Sequence, residues 1–144
     1  MMGKQIAAIL GISFVVAIIS AAVHPSRPPF FQVESAETLR WQIDIEKANQ
    51  LAAAGEVLWV DARSREKFEE SHIEGAILLN VDEWGDLMFQ NMDSLQAALG
   101  TPVVVYCDGT RCEKSQDVSV RLRELLGLDP VYVLKGDWRE VKRN

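Results

Sequence analysis

Apolar residues fall in distinct spacings along this chain, and those spacings divide it into elements. Residues 57–60, 76–79, 103–106 and 131–134 are short apolar runs. Continuous rather than alternating, they predict buried strands. Trp41, Ile43 and Ile45 alternate with polar residues, which predicts a short first strand. From about Glu113 the apolar positions Val118, Leu122, Leu125 and Leu126 recur at helical spacing, predicting a helix to Leu126. Further helices are expected from about Glu46 to Ala54, capped near Asp44 and closed by Gly55, and from Ser64 to about Ser71. A small helix starting at Asp93 or Ser94 carries Leu95 and Leu99 and ends at Gly100. Gly136-Asp137-Trp138 turns the chain into a last helical turn. Strands alternating with helices imply an α/β domain: a parallel sheet with helices on both faces.

Ahead of this domain, residues 6–23 are apolar or small and carry no charge. As a helix they would span roughly 27 Å, close to the thickness of a bilayer's hydrocarbon core. Residues 1–24 are therefore expected to form one hydrophobic helix, either a transmembrane anchor or a signal segment; Ser20-Ala21-Ala22 offers a cleavage possibility. Lys4 ahead of the segment weakly favours a domain outside the cytoplasm, membrane-anchored or secreted after cleavage. Pro25, Pro28 and Pro29 deny residues 25–36 both helix and central strand, so this stretch reads as a semi-extended linker, with the domain over 37–144.

Composition narrows the function. A net charge of −6 argues against nucleic acid as a partner, because phosphate backbones are bound by basic faces. Two cysteines and two widely separated histidines do not supply a closed metal site by spacing, so neither metal nor cofactor is expected.

The chemistry centres on Tyr106-Cys107-Asp108-Gly109-Thr110-Arg111-Cys112, the loop between the strand at 103–106 and the helix from Glu113. A strand-loop-helix turn aims backbone N–H groups and the positive end of a helix dipole at the loop's mouth. A cysteine there is favoured as the thiolate, the form that attacks electrophiles. A buried hydrophobe or a structural disulfide is the plainer reading of the same residue. Six residues from cysteine to cysteine can close a disulfide where the Cα atoms approach within about 7 Å.

Three stretches together resemble one family. Val60-Asp61-Ala62-Arg63, followed by Glu66-Lys67-Phe68 and Ser71-His72-Ile73-Glu74-Gly75-Ala76, is similar to the Asp-x-Arg and Gly-His-Ile-Pro-Gly-Ala segment of rhodanese-like domains. Val103 to Cys107 looks like the strand that delivers their active cysteine, and Val131 to Trp138 like their closing strand and Gly-Gly-Trp turn. The resemblance implies a rhodanese-like fold and a sulfurtransferase. Cys107 would take sulfane sulfur from a small sulfur-containing anion such as thiosulfate, hold it as a persulfide and pass it to a thiol acceptor. It also implies that Asp108, Gly109, Thr110, Arg111 and Cys112 bind substrate, with Asp61, Arg63 and His72 as structural support near the site. Trp138 is expected in the core or at the site's rim. The loop departs from the family's Cys-x-x-Gly-x-Arg, since Gly109 and Arg111 each come one place early and Cys112 takes the sixth position. Two alternatives therefore stand beside sulfur transfer: a thiol–disulfide redox module using Cys107 and Cys112, or a non-catalytic binding or sensing domain.

Overall fold

The computed structural model describes residues 36–109 and 113–142. These lie in one compact unit, Ser35–Asn144. The expected apolar helix at 6–23 and the proline-containing linker up to residue 35 fall outside the described residues. Among the described residues, no helix is long and apolar enough to cross a membrane.

The described chain opens on helix α1 (Ala36–Arg40), followed by strand β1 (Gln42–Ile43). The strand expected to reach Ile45 stops short because Asp44 takes a helix N-cap role: its carboxylate accepts the Lys47 N–H at 2.8 Å. Helix α2 (Ile45–Ala54) follows and closes with the Gly55 N–H on the Leu51 carbonyl. Then come β2 (Leu58–Asp61), α3 (Arg65–Glu70) and β3 (Ile77–Leu78). Two short helices, α4 (Trp84–Gln90) and α5 (Met92–Ala97), lead to β4 (Val103–Tyr106). Helix α6 (Glu113–Leu126), β5 (Val131–Leu134) and a 3-10 turn at Trp138–Glu140 complete the order.

The strands form one five-stranded parallel sheet in the order β1-β5-β4-β2-β3. Alternation along each strand sorts side chains to the two faces. Val60, Val103, Val105 and Val131 pack on one face with Leu87 of α4, Leu95 of α5, and Val118 and Leu122 of α6. Trp59, Val104, Tyr106 and Leu134 pack on the other with Ala48 of α2, Trp138 and Val141. Helices thus cover both faces, as the unbroken apolar runs require. Leu125 is a correction: it is 65% exposed, while Leu126 packs against the core. Leu126 lies four residues beyond Leu122 and stays on the buried stripe; Leu125 turns to solvent.

This order creates a switch point. From β2 the chain moves outward to β3, and from β4 it moves the opposite way to β5, although β2 and β4 are neighbours. The two connections leave a crevice beyond the carboxyl ends of β2 and β4, the place where open parallel sheets bind ligands. Asp61 and Tyr106 are Cα partners at those ends. The Ala62 N–H donates to the Tyr106 carbonyl at 2.9 Å, and the Leu79 N–H to the Asp61 carbonyl at 2.9 Å.

Candidate active site

Two residues past that register the chain sets Arg63 and Asp108 side by side over the crevice. Arg63 is 5% exposed. Its Nε donates to Asp61 Oδ1 at 2.9 Å and its Nη2 to Asp61 Oδ2 at 2.6 Å. Nη2 also reaches the Ser71 carbonyl at 2.6 Å, tying α3 to the end of β2. The guanidinium lies over the Trp138 ring, 4.6 Å from its centroid. Burial alone would lower the arginine's pKa, but the Asp61 hydrogen bond and the charges of Asp61 and Asp108 raise it, so Arg63 stays a cation.

Cys107 is 4% exposed and packs with the α6 side of the core. Its Sγ lies 3.6 Å from Ser115 Oγ, a buried hydroxyl in the first turn of α6. Cys107 is disulfide-bonded. The one other cysteine in the sequence, Cys112, falls with Thr110 and Arg111 outside the described residues. Gly109 has φ +105°, a backbone conformation that side chains beyond glycine rarely adopt, which explains glycine at this sharp step of the loop. An open hollow of about 490 Å³ in front of Cys107 is lined by Arg63, Ser64, Lys67, Asp108, Glu113 and Lys114.

Asp108, 41% exposed on its side chain, points its carboxylate at a ring of donors from three different elements. Arg63 Nη1 is 3.3 Å from Oδ1, Trp138 Nε1 3.4 Å from Oδ1, Lys67 Nζ 3.9 Å from Oδ2 and Arg139 Nη2 4.0 Å from Oδ1. Sequence reasoning missed Lys67 and Arg139 at this rim. Lys67 sits in the Glu-Phe helix segment and Arg139 just past the Trp138 turn, but nothing in local patterning says that both helix ends meet the loop after β4.

Asp61 and Arg63 form the support of the crevice floor. His72 does not reach the hollow: its Nδ1 contacts the Phe68 carbonyl at 2.7 Å and its ring stacks on Phe68 at 3.9 Å between centroids. Trp138 serves both the core and the rim, being 4% exposed with its indole N–H turned to Asp108. A separate hollow, lined by Trp59, Ile73, Glu74 and Arg139 among others, opens on the sheet face away from Cys107. No group of three or more His, Cys, Asp or Glu among the described residues is placed to hold a metal ion.

With this geometry in view, comparison with known proteins defines the class. The family model of the rhodanese-like domain matches residues 44–144, and the chain belongs to that family. It is 31% identical over 105 residues to a tRNA uridine(34) hydroxylase of Deinococcus radiodurans, an alignment covering 72% of this chain and 34% of that protein. The chain thus spans about a third of that relative's length. Among solved structures it is similar to the rhodanese-like domain of an Anabaena protein, with 26% identity, a TM-score of 0.50 and coverage of 69% and 71% of the two chains. A Bacillus halodurans protein at 22% identity, TM-score 0.55 and coverage of 72% and 74% shares the fold.

Proposed function

We propose that this chain is a sulfurtransferase whose nucleophile is Cys107, released from its disulfide by a thiol reductant. The observation that carries this reading is the position of Cys107: at the carboxyl end of β4, at the switch point, against the first turn of α6 and facing an open hollow. Family membership supports the same chemistry. Two equivalents of thiol open the disulfide, each cysteine sulfur gaining an electron and a proton as the reductant becomes a disulfide. The Cys107 thiolate then attacks the outer sulfur of a sulfane donor. The donor's S–S bond breaks, its inner sulfur leaves with the electron pair, and a new S–S bond forms on Sγ. A thiol acceptor removes the sulfur by the reverse chemistry.

The tRNA substrate in the name of the Deinococcus relative is not carried over to this chain, since a net charge of −6 disfavours a phosphate backbone. The apolar residues 6–23 support a domain held at, or exported across, a membrane.

The test is the mass of the purified chain, reduced and then freed of reductant, before and after an organic persulfide or excess thiosulfate. The expected result is a gain of one sulfur atom that disappears in Cys107→Ser. No gain with both thiols free would overturn the reading. The disulfide at Cys107 favours a second reading, a dithiol–disulfide module cycling with Cys112. That reading requires both cysteines. Sulfur loading that survives intact in Cys112→Ala would set it aside.

A further inference from the structure

We propose that Asp108 is a tethered anion filling the cationic seat at the mouth of the Cys107 hollow. On this proposal it turns the site away from small inorganic dianions and toward sulfane donors of low charge, such as an organic persulfide. The inference rests on the sulfur-transfer reading for its substrate class, but not for the seat itself.

The seat is assembled from two separate stretches of the chain: Arg63 beyond β2 with Lys67 four residues further on in α3, and Arg139 in the C-terminal turn. All three cations lie within 3.3–4.0 Å of the Asp108 carboxylate, and the Trp138 indole N–H joins them at 3.4 Å. Such a convergence suits an oxyanion. Other carboxylates share two of the cations. Asp61 holds the far side of Arg63, and Asp137 Oδ1 lies 3.1 Å from Arg139 Nη1. Glu113 lines the hollow too, while Lys114 is drawn toward Asp82 at 3.6 Å. An arriving dianion therefore meets an occupied seat and a second carboxylate.

The fit of Asp108 is loose. Every contact is at the long end of hydrogen-bond or ion-pair range, and the side chain is 41% exposed. A loose internal ligand can swing to solvent, so it competes with an external anion without locking the site. Its tether gives it an effective concentration on the order of millimolar, enough to exclude a weakly held dianion. A persulfide R–S–SH has no need of the seat. The Cys107 thiolate attacks its outer sulfur, R–S⁻ leaves with the electron pair, and Cys107 carries S–SH. No oxidant or reductant enters that step.

The test is anion binding to the full chain with its disulfide intact, read as the rise in thermal midpoint against sodium thiosulfate and, separately, sodium sulfate. Ionic strength is held constant with chloride. Asp108→Asn, an isosteric change at a half-exposed position, is expected to lower the half-saturating concentration of both dianions about tenfold, while Asp108→Glu stays near wild type. Adding Lys67→Met to Asp108→Asn is expected to reverse most of the gain. Equal binding by wild type and Asp108→Asn overturns the proposal, as does a gain that Lys67→Met leaves untouched. Because binding needs no chemistry at Cys107, its outcome is separable from that of the mass experiment. Tighter binding without persulfide formation would keep the seat and discard sulfur transfer. Persulfide formation without tighter binding would do the reverse.

Discussion

Arg63 and Asp61 form a buried, forked ion pair at the carboxyl end of β2, with Nε–Oδ1 at 2.9 Å, Nε–Oδ2 at 3.1 Å and Nη2–Oδ2 at 2.6 Å. Asp61 Oδ1 also accepts the Arg63 backbone N–H at 2.9 Å, so the pair sets the bend that leads from strand to α3. The spare Nη1 is what faces the site.

Removing one partner strands a buried charge. Asp61→Asn is expected to destabilise the fold by about 3–5 kcal/mol, a large share of the roughly 5–15 kcal/mol of an ordinary domain. Arg63→Lys loses the planar fork and is expected to fall between wild type and Arg63→Met. Urea midpoints at unchanged slope measure all three. A loss below about 1 kcal/mol in Asp61→Asn would show that the pair is not holding this bend.

Tyr106 is fully buried, and its hydroxyl accepts the Ile73 N–H at 3.1 Å. Tyr106→Phe leaves that donor unpaired, at an expected cost of about 1–3 kcal/mol at neutral pH. Burial pushes the phenol well above its ordinary value of 10.0. A raised acid pKa means that the stability is complete below about pH 10 and drains as pH rises past it, because the unfolded phenol ionises while the folded one holds its proton. The loss approaches about 1.4 kcal/mol per pH unit. The difference between wild type and Tyr106→Phe should therefore shrink above pH 10. A constant difference between pH 8 and pH 11.5 would contradict the burial account.

The sheet was legible in the sequence because Val103 to Tyr106 and Val131 to Leu134 are unbroken apolar runs with turn residues after them. Helix α4 was not. Trp84, Leu87 and Met88 do have helical spacing, but Gly85 interrupts a seven-residue element whose N-cap, Glu83, makes no side-chain cap bond. The Glu83 N–H is held instead by the side chain of Asn80, at 2.8 Å, from the loop ahead of the helix. The strand that carries Cys107 to the switch point was legible for that same local reason. The rim around Asp108 was not, because Lys67 and Arg139 stand 41 and 31 residues from it, 108 − 67 and 139 − 108, and only the parallel register brings them together.

His72 tests the distinction between proximity in sequence motif and proximity in space. Its ring is spent on Phe68, through the carbonyl contact at 2.7 Å and the stacked ring. His72→Ala is expected to cost about 1 kcal/mol of stability and to leave sulfur loading of Cys107 unchanged at temperatures where the variant is folded. A loss of loading in a folded His72→Ala would bring the histidine into the mechanism.

Ser115 holds its Oγ 3.6 Å from Cys107 Sγ, with 1% of its surface exposed. A hydroxyl at that position steadies a thiolate more than a thiol, because hydrogen bonds to charged groups are the stronger ones. The separation is long, so about 1 kcal/mol is a fair scale for its effect. Ser115→Ala is expected to slow alkylation of reduced Cys107 by iodoacetamide roughly fivefold at neutral pH, on the scale of 1.4 kcal/mol per tenfold. Ser115→Thr should restore part of the rate if the hydroxyl is what matters. The rate at a pH high enough to ionise the thiol in both proteins is the control, and there the two should converge. If the deficit persists at high pH, Ser115 is shaping access to the sulfur rather than stabilising its charge.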